Sequence, residues 1–548
     1  MEYTVKIGGE AGQGIQTIGD TLAKVFSRAG YHVFTHQDYE SRIRGGHNFY
    51  QIRFSDKPVS ASREHIDILV ALDRESITLH EKELTQNGRI IYDSATLKQT
   101  REESHFLDIP FVRLALDNGG DKIMANAAAT GAVMGMLGVE LSIFLEMIKD
   151  AFRKKGEGII QANAATAMAG YDFGVKHCTQ CSFSSVPRSR PKMVITGVEA
   201  IGLGAVSGGC KFYSAYPMTP STGIMNYLAG KGSEFGIIVE QAEDEIAAVN
   251  MALGASFAGV RSMTGTSGGG FALMVEGLSL AGMTETPLVI ALGQRPGPAT
   301  GLPTRTEQGD LLFALHTAHG EFPRIIFAPG TPEQGFFLTN RAFDLAERFQ
   351  VSVVILFDTY LADSGWTYEG FDLKGLNYTE HRLKVEEFKD MAEYRRHAFT
   401  DTGVSPLAVP GTSKHVVVTD SDEHSEEGHI VEDGETRIRM VKKRLLMKFP
   451  LIRQEISPPF YYGEQNPDII IIGWGSLYGI MKETVDFLSR EEKIGMLHFS
   501  EIFPFPSTDA FDYLAFLNRA KLTLCIEQNA TGQFARLLRT EHGFVCTT

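Results

Sequence analysis

Residues 237–293 read IIVEQAEDEIAAVNMALGASFAGVRSMTGTSGGGFALMVEGLSLAGMTETPLVIALG. The pattern predicts a strand (IIVEQ), a helix (AEDEIAAVNMALGASFAG), a strand (RSMTGT), a turn (SGGG), a helix (FALMVEGLSLAG) and a strand (PLVIALG). Strands separated by helices build a parallel sheet through right-handed crossovers. Ligands of such sheets bind at the carboxyl ends of the strands. The residues just after each strand are therefore the ones to inspect.

Working outward, PEQGFFLTNRAFDLAERF and VSVVILFD add a helix and a strand to this unit, which starts near Met193. A second α/β pattern starts at DIIIIGWGS and runs through GMLHFSEIFPFPS to LTLCIEQNATGQFARLL. A third lies at the amino end. There YTVKIG, YHVFTH, FYQIRFS, IDILVAL and RIIYDS predict strands, with helices over 15–29 and about 121–155. The fold class is thus α/β, with three parallel-sheet units. Residues 171–191, rich in proline, serine and basic groups, read as a linker. The acidic stretch SDEHSEEGHIVEDGE, inside a weakly patterned region over 365–450, reads as an exposed loop.

The 548 residues carry a net charge of −15, so there is no general electrostatic case for nucleic acid. No secretory signal and no run of about 18 apolar residues is visible, so a soluble cytoplasmic protein is expected. Five cysteines fit a reducing compartment rather than a disulfide scaffold. Cys178 and Cys181 form a lone CxxC. It reads as an incidental or structural pair, or as a metal or redox site lacking further ligands at a matching spacing. The last residues, EHGFVCTT, do not resemble a domain end, and the chain is expected to continue.

Four stretches could carry chemistry. GGEAGQG (8–14) places Gly9, Gly12, Gln13 and Gly14 between a strand and a helix, where backbone N–H groups can approach an anion. Arg42, Arg44 and His47 follow in SRIRGGHNFY, a set suited to phosphates. A tight turn beside a solvated basic loop is the plainer reading. The spacing is not GxGxxG, which disfavours a nicotinamide dehydrogenase. In EQAEDEIAA, Glu240, Glu243, Asp244 and Glu245 cluster at a helix start; such acids are often caps. Glu245, however, enters an apolar face, which would raise its proton affinity. In AYPMTPSTG (215–223) two prolines stiffen the chain around Thr219 ahead of a helix. GQRPGPATGLPTRTEQGD then puts Arg295 and Thr304 in one proline-rich loop, where arginine can grip a carboxylate.

Taken together, these motifs resemble the 2-oxoacid:ferredoxin oxidoreductases, as an α subunit with a γ domain fused at its amino end. GGEAGQG and SRIRGGHNFYQIRFSD resemble the γ domain. YPMTPST, EQAEDEIAA, TGTSGGGFALMVE and GQRPGPATGLPT resemble the pyrimidine-binding domain, and IEQNATGQFARLL a transketolase C-terminal-type domain. The implied layout is a γ-type domain over 1–180, a linker over 181–192 and the pyrimidine-binding domain over 193–370. A connecting region over 371–455 and the C-terminal domain over 456–548 follow.

The resemblance implies thiamine diphosphate shared with a β chain, contacted here by Glu245, Pro217, Thr266, Ser267 and Gly268, with Glu243 the alternative glutamate. That glutamate promotes the imino tautomer of the aminopyrimidine. Thr219, Arg295, Thr304 and Tyr216 would meet substrate, with Glu245, Thr219 and Arg295 catalytic. Coenzyme A would take the acyl group, near Gly9, Gly12, Gln13, Gly14, Arg42, Arg44 and His47. Mg2+ and a [4Fe-4S] cluster are expected on the β chain, ferredoxin as electron partner, and (αβ)2 as the assembly. No metal is expected on this chain. The form of QRPGPATGLPT and the EHSEEGHI loop point to 2-oxoglutarate. Pyruvate, branched-chain or aromatic oxoacids, or a non-catalytic acyl-CoA-binding subunit, are the alternatives.

Overall fold

The computed structural model describes residues 1–547 except 41–44, 179–180, 182, 184, 186–189 and 377. Arg42 and Arg44 therefore lie outside the described residues. The chain divides into two compact units. One holds Met1–Ile195 with Asp363–Phe371, the other Thr196–Ala362 with Asp372–Thr548. No helix among the described residues is long and apolar enough to cross a membrane.

The first unit is built on an eight-stranded sheet. Its order is Phe106–Asp108, Leu84–Tyr92, Ile66–Ala71, Glu2–Ala11, Gly45–Ser55, His32–Tyr39, Gly365–Tyr368, Met193–Thr196. The sheet is mixed. Glu2–Ala11 runs parallel to Ile66–Ala71 and antiparallel to Gly45–Ser55. The division at 370 also shifts: Trp366 pairs with Phe34, and Thr35 accepts the Gly365 N–H at 2.8 Å, so 363–371 completes this sheet. A sequence reading misses such a late return, because pairing across more than 300 residues leaves no local trace.

One face of this sheet is apolar. Val5, Ile7, Ile52, Phe54, Ile68 and Val70 pack against helices Ile15–Arg28 and Ala125–Leu137. Behind them runs the helix Glu157–His177, covering 171–177, which read as linker. The prolines, serines and basic groups that suggested a linker lie mostly beyond His177, whereas small residues in the helix, Gly174 among them, serve close approach. A Cβ on Gly170 would lie 2.1 Å from the Ala128 carbonyl oxygen, and one on Gly131 2.2 Å from that of Ala167. Cys178 and Cys181, at the end of this helix, are joined as a disulfide.

The second unit contains a seven-stranded sheet. Its order is Glu501–Phe503, Arg324–Phe327, Ser352–Asp358, Leu288–Gln294, Ser262–Ser267, Phe212–Ala215, Ile238–Gln241. All neighbours run parallel except Glu501–Phe503. A four-stranded sheet orders Phe460–Gly463, Ile494–Phe499, Ile469–Trp474 and Leu522–Cys525. One apolar core joins the two, with Phe271, Leu292 and Leu311 packed with Ile470, Trp474, Phe499 and Phe534. The stretches 371–455 and 456–548 thus share the compact unit of the central sheet.

The acidic loop is not simply exposed. His424 is fully buried with its ring centroid 3.9 Å from that of His397, the rings tilted at 48°, while Glu423 accepts from Arg437 and Arg444. Nearby, buried Glu285 binds the ammonium groups of buried Lys443 and Lys448. Local polarity predicted solvent; long-range pairing supplied partners instead.

Candidate functional site

Four adjacent parallel strands of the second unit end on one side of the sheet. The chain after each supplies one motif: the helix Glu245–Phe257 after Ile238–Gln241, YPMTPST after Phe212–Ala215, the glycine triplet after Ser262–Ser267, and Arg295 after Leu288–Gln294. Parallel topology thus assembles residues such as Thr219 and Arg295, 76 positions apart in sequence.

Glu245 opens its helix. Asp244 is the cap, its carboxylate accepting from the Ala247 N–H at 2.7 Å. Capping by Asp244 frees Glu245 to turn inward, where it is 3% exposed. Its Oε1 has no hydrogen-bond partner among the described residues. Burial raises the carboxyl's proton affinity and the negative charge of Asp244 adds to it, against the opposing pull of its own backbone N–H and the Thr266 hydroxyl. Glu243, two residues earlier, is exposed. The helix Gly268–Leu273 passes so close that a Cβ on Gly270 would lie 2.3 Å from Glu245 Oε1 and 2.1 Å from Thr266 Oγ1. The third glycine of SGGG is therefore the space the glutamate occupies.

Around that triplet, polar groups are buried without partners among the described residues: Thr264 Oγ1, Ser267 Oγ, Gln294 Nε2 and Asp310 Oδ2. Buried polar atoms in native proteins are almost always satisfied, so a cluster of orphans marks a place where a polar ligand completes the bonding. The Glu245 carboxyl, an acceptor or donor according to its proton, matches the ring nitrogen of an aminopyrimidine. The residues present thus fit thiamine diphosphate.

Arg295 reaches across to YPMTPST, where its Nη1 donates to the Thr219 carbonyl at 3.0 Å. Both residues are half-buried, as are Pro217 and Thr304, while Tyr216 is 41% exposed. Burial lowers the proton affinity of Arg295, and Asp310 opposes the shift. Asp310 itself is pushed up to about 6 by burial, helped by Glu307 and opposed by Arg295. Its backbone N–H donates to Gln294 Oε1 at 3.0 Å, and its carboxyl fills the space beside Gly268. Asp310 and Gln294 were missed by sequence reading. The signal available was their position, one at the strand end and one closing the proline-rich loop.

That loop is pinned at its far end. Gln308 donates from its backbone to the Gln528 carbonyl at 2.8 Å and accepts the Gln528 N–H at 3.1 Å, and its side-chain amide donates to the Trp474 carbonyl at 3.0 Å. Gln528 belongs to IEQNATGQ, so the α/β pattern at the carboxyl end holds the loop that carries Arg295.

The glycine-rich turn of the first unit is closed on itself. Gly12 and Gly14 adopt left-handed backbone (φ 96° and 91°), and Gln13 Oε1 accepts from the Glu10 N–H at 2.8 Å. A Cβ on Gly9 would lie 2.5 Å from that same Gln13 oxygen. His47 lies opposite Glu10 in the antiparallel pair, on the face away from the apolar core.

Residues 203–443 match the family model described as pyruvate flavodoxin/ferredoxin oxidoreductase, thiamine diP-bdg, and residues 4–173 match pyruvate ferredoxin/flavodoxin oxidoreductase. A 2-oxoacid:ferredoxin oxidoreductase subunit alpha from a Sulfolobus species is 32% identical, over 89% of this chain and 84% of its own length. The 2-oxoglutarate oxidoreductase subunit KorA of Mycobacterium tuberculosis is 27% identical, over 98% and 87%. Among solved structures, the 2-oxoglutarate:ferredoxin oxidoreductase from Magnetococcus marinus with 2-oxoglutarate, coenzyme A and succinyl-CoA bound superposes with a TM-score of 0.90. It is 30% identical, and the match covers all of this chain and 96% of that one. By that identity and coverage, the chain belongs to the 2-oxoacid:ferredoxin oxidoreductase family as an α subunit carrying a γ-like domain at its amino end.

Proposed function

We propose that this chain, with a β subunit, interconverts 2-oxoglutarate, coenzyme A and oxidised ferredoxin with succinyl-CoA, CO2 and reduced ferredoxin. The observation that carries the reading is Glu245: a buried carboxyl with raised proton affinity and an unpartnered oxygen, at the carboxyl end of a parallel sheet. Bound thiamine diphosphate supplies the carbon nucleophile that decarboxylation of a 2-oxoacid needs.

Glu245 holds a proton toward the aminopyrimidine ring, while Pro217, Thr266, Ser267 and Gly268 shape the wall around it. Glu243, exposed, is the weaker choice. Arg295 binds a substrate carboxylate, and the Thr219 carbonyl fixes the guanidinium's aim. The Thr219 hydroxyl donates to the substrate's carboxylate or carbonyl. Thr304 and Tyr216 bound the same space. Mg2+ and the [4Fe-4S] cluster sit on the β subunit, ferredoxin accepts the electrons, and the working assembly is (αβ)2 in the cytoplasm. Coenzyme A binds the first unit near the glycine-rich turn, at Gly9, Gly12, Gln13, Gly14 and His47, with Arg42 and Arg44 beside it in sequence. The choice of 2-oxoglutarate is supported by the ligands of the Magnetococcus marinus neighbour and by the KorA relatives.

The test is anaerobic viologen or ferredoxin reduction by the complex with its β partner, given 2-oxoglutarate, pyruvate and 2-oxoisovalerate in parallel. Coenzyme A-dependent reduction with 2-oxoglutarate alone is expected. Reduction only with another oxoacid would keep the family chemistry and remove the substrate assignment.

A further inference from the structure

Behind His47 the first unit holds a chain of ionisable groups, Lys6, Glu83 and His80, that the reaction above leaves unused. It lies on the sheet face opposite the apolar core. Lys6, 4% exposed, donates to Glu83 Oε2 at 2.5 Å. The other oxygen, Glu83 Oε1, lies 3.0 Å from His80 Nδ1, and His80 Nε2 lies 2.8 Å from His47 Nε2. His47 Nδ1 is buried and has no partner among the described residues. Gly8 sits against this group, where a Cβ would lie 2.7 Å from Ser76 Oγ and only in ordinary contact, 3.4 Å, with His47 Cε1.

These distances fix the protons. Lys6 and His80 hold Glu83 ionised against its burial, so its oxygens only accept. His80 Nδ1 therefore carries a hydrogen and donates to Glu83; the Lys6 contact to the same nitrogen is longer, at 3.4 Å. Burial and the neighbouring Lys6 charge keep His80 neutral, which leaves a lone pair on its Nε2. Two lone pairs cannot face each other at 2.8 Å, so His47 Nε2 carries the hydrogen of that bond. The remaining nitrogen, His47 Nδ1, meets no acceptor, and a proton there would be a buried unpaired donor.

We infer that His47 presents a bare Nδ1 that accepts a hydrogen bond from an O–H, N–H or S–H group of the ligand, and does not bind its phosphates. His80, Glu83 and Lys6 are positioning residues that hold this tautomer. The inference rests on the assignment of coenzyme A to the glycine-rich turn of this unit, and it reverses the sequence expectation that His47 joins Arg42 and Arg44 against phosphate. Coenzyme A carries donors of all three kinds away from its phosphates, so the chemistry is available on one molecule. The strand that carries His47 begins with Gly45 and Gly46, both left-handed, and Gly46 is exposed beside it.

The experiment uses the complete chain with its β partner and reads the KM for coenzyme A in viologen reduction. Asparagine keeps an acceptor near the Nδ1 position, whereas lysine supplies only donors and a charge. His47→Asn is expected to hold KM within about threefold, while His47→Lys and His80→Phe raise it about tenfold or more, the worth of one lost hydrogen bond. A retained KM in His47→Lys with a raised one in His47→Asn would mean a phosphate contact and overturn the inference. So would equal effects in the two His47 variants, including none. Should the wild-type complex not use coenzyme A, the ligand assignment fails by itself. The tautomer is then read from ring-nitrogen NMR of histidine-labelled protein, with His47 assigned by loss of its signals in His47→Asn. A protonated Nδ1 there would overturn the inference without reference to any ligand.

Discussion

The Oε1 atom of Glu245 lies 2.3 Å from the point that a Cβ on Gly270 would occupy. A side chain at 270 and the glutamate in its present position exclude each other. Gly270→Ala is therefore expected to push the carboxyl aside. Overpacking of this kind costs about 1–3 kcal/mol, part of it offset by alanine's better helix propensity. Displacement of a reacting group by an ångström costs on the order of 100-fold in rate. Thermal unfolding and viologen reduction measured on the same preparation check both; wild-type turnover in Gly270→Ala would remove Glu245 from the chemistry.

Arg295 donates to the carbonyl of Thr219 rather than to its hydroxyl. Lysine at 295 keeps a charge but cannot hold that carbonyl and a carboxylate together. Arg295→Lys should raise the KM for the 2-oxoacid by about 10- to 100-fold, the range for losing a charge-assisted bond, with a smaller effect on kcat. Thr219→Val removes only the hydroxyl and should lower kcat. A Thr219→Val enzyme with unchanged turnover would confine Thr219 to its carbonyl.

Glu285 is the sole carboxylate bonded to the buried ammonium groups of Lys443 and Lys448 among the described residues. Breaking a buried pair by neutralising one partner leaves uncompensated charge. Glu285→Gln keeps the side chain's shape and should destabilise the second unit by about 3–5 kcal/mol. Chemical unfolding followed by tryptophan fluorescence would measure it, since Trp474 lies in that unit's core. A loss below 1 kcal/mol would mean that the lysines shed their protons on folding.

Asp358 is fully buried, and burial pushes its carboxyl up to about 6 from 3.8, against the pull of the Ser476 hydroxyl. The sign follows from proton counting. Below 3.8 the group is protonated in both the folded and the unfolded chain. Between 3.8 and 6 only the folded chain keeps the proton, so stability falls as pH rises through that window. The gap is worth about 3 kcal/mol. Asp358→Asn should remove that slope. Its stability relative to wild type, from unfolding curves at pH 4 and pH 7, should improve by about that amount at the higher pH. Parallel curves would show that folding does not raise the proton affinity of Asp358.

The sequence by itself determined the order of strands and helices, and thereby the class of fold. The helix over 332–349 and the strand over 352–358 appear where their apolar periodicity placed them, because periodicity reports which side of an element faces a core. The central motifs were legible for a related reason. In a parallel sheet, the residues after each strand share one edge, so Thr219, Glu245, Ser267 and Arg295 could be grouped before any distance was known.

Only the tertiary structure decided what depends on pairing between distant residues. It separated buried Glu245 from exposed Glu243, returned residues 363–371 to the first sheet, and turned 171–177 from linker into helix. It brought Gln308 and Gln528 together across 220 residues, and gave the acidic loop a buried cationic partner in Arg444. It also placed His80 and Glu83 in a chain behind His47. Local sequence sets propensity and polarity. Proton positions, burial and orphaned atoms arise from neighbours that the linear order does not contain.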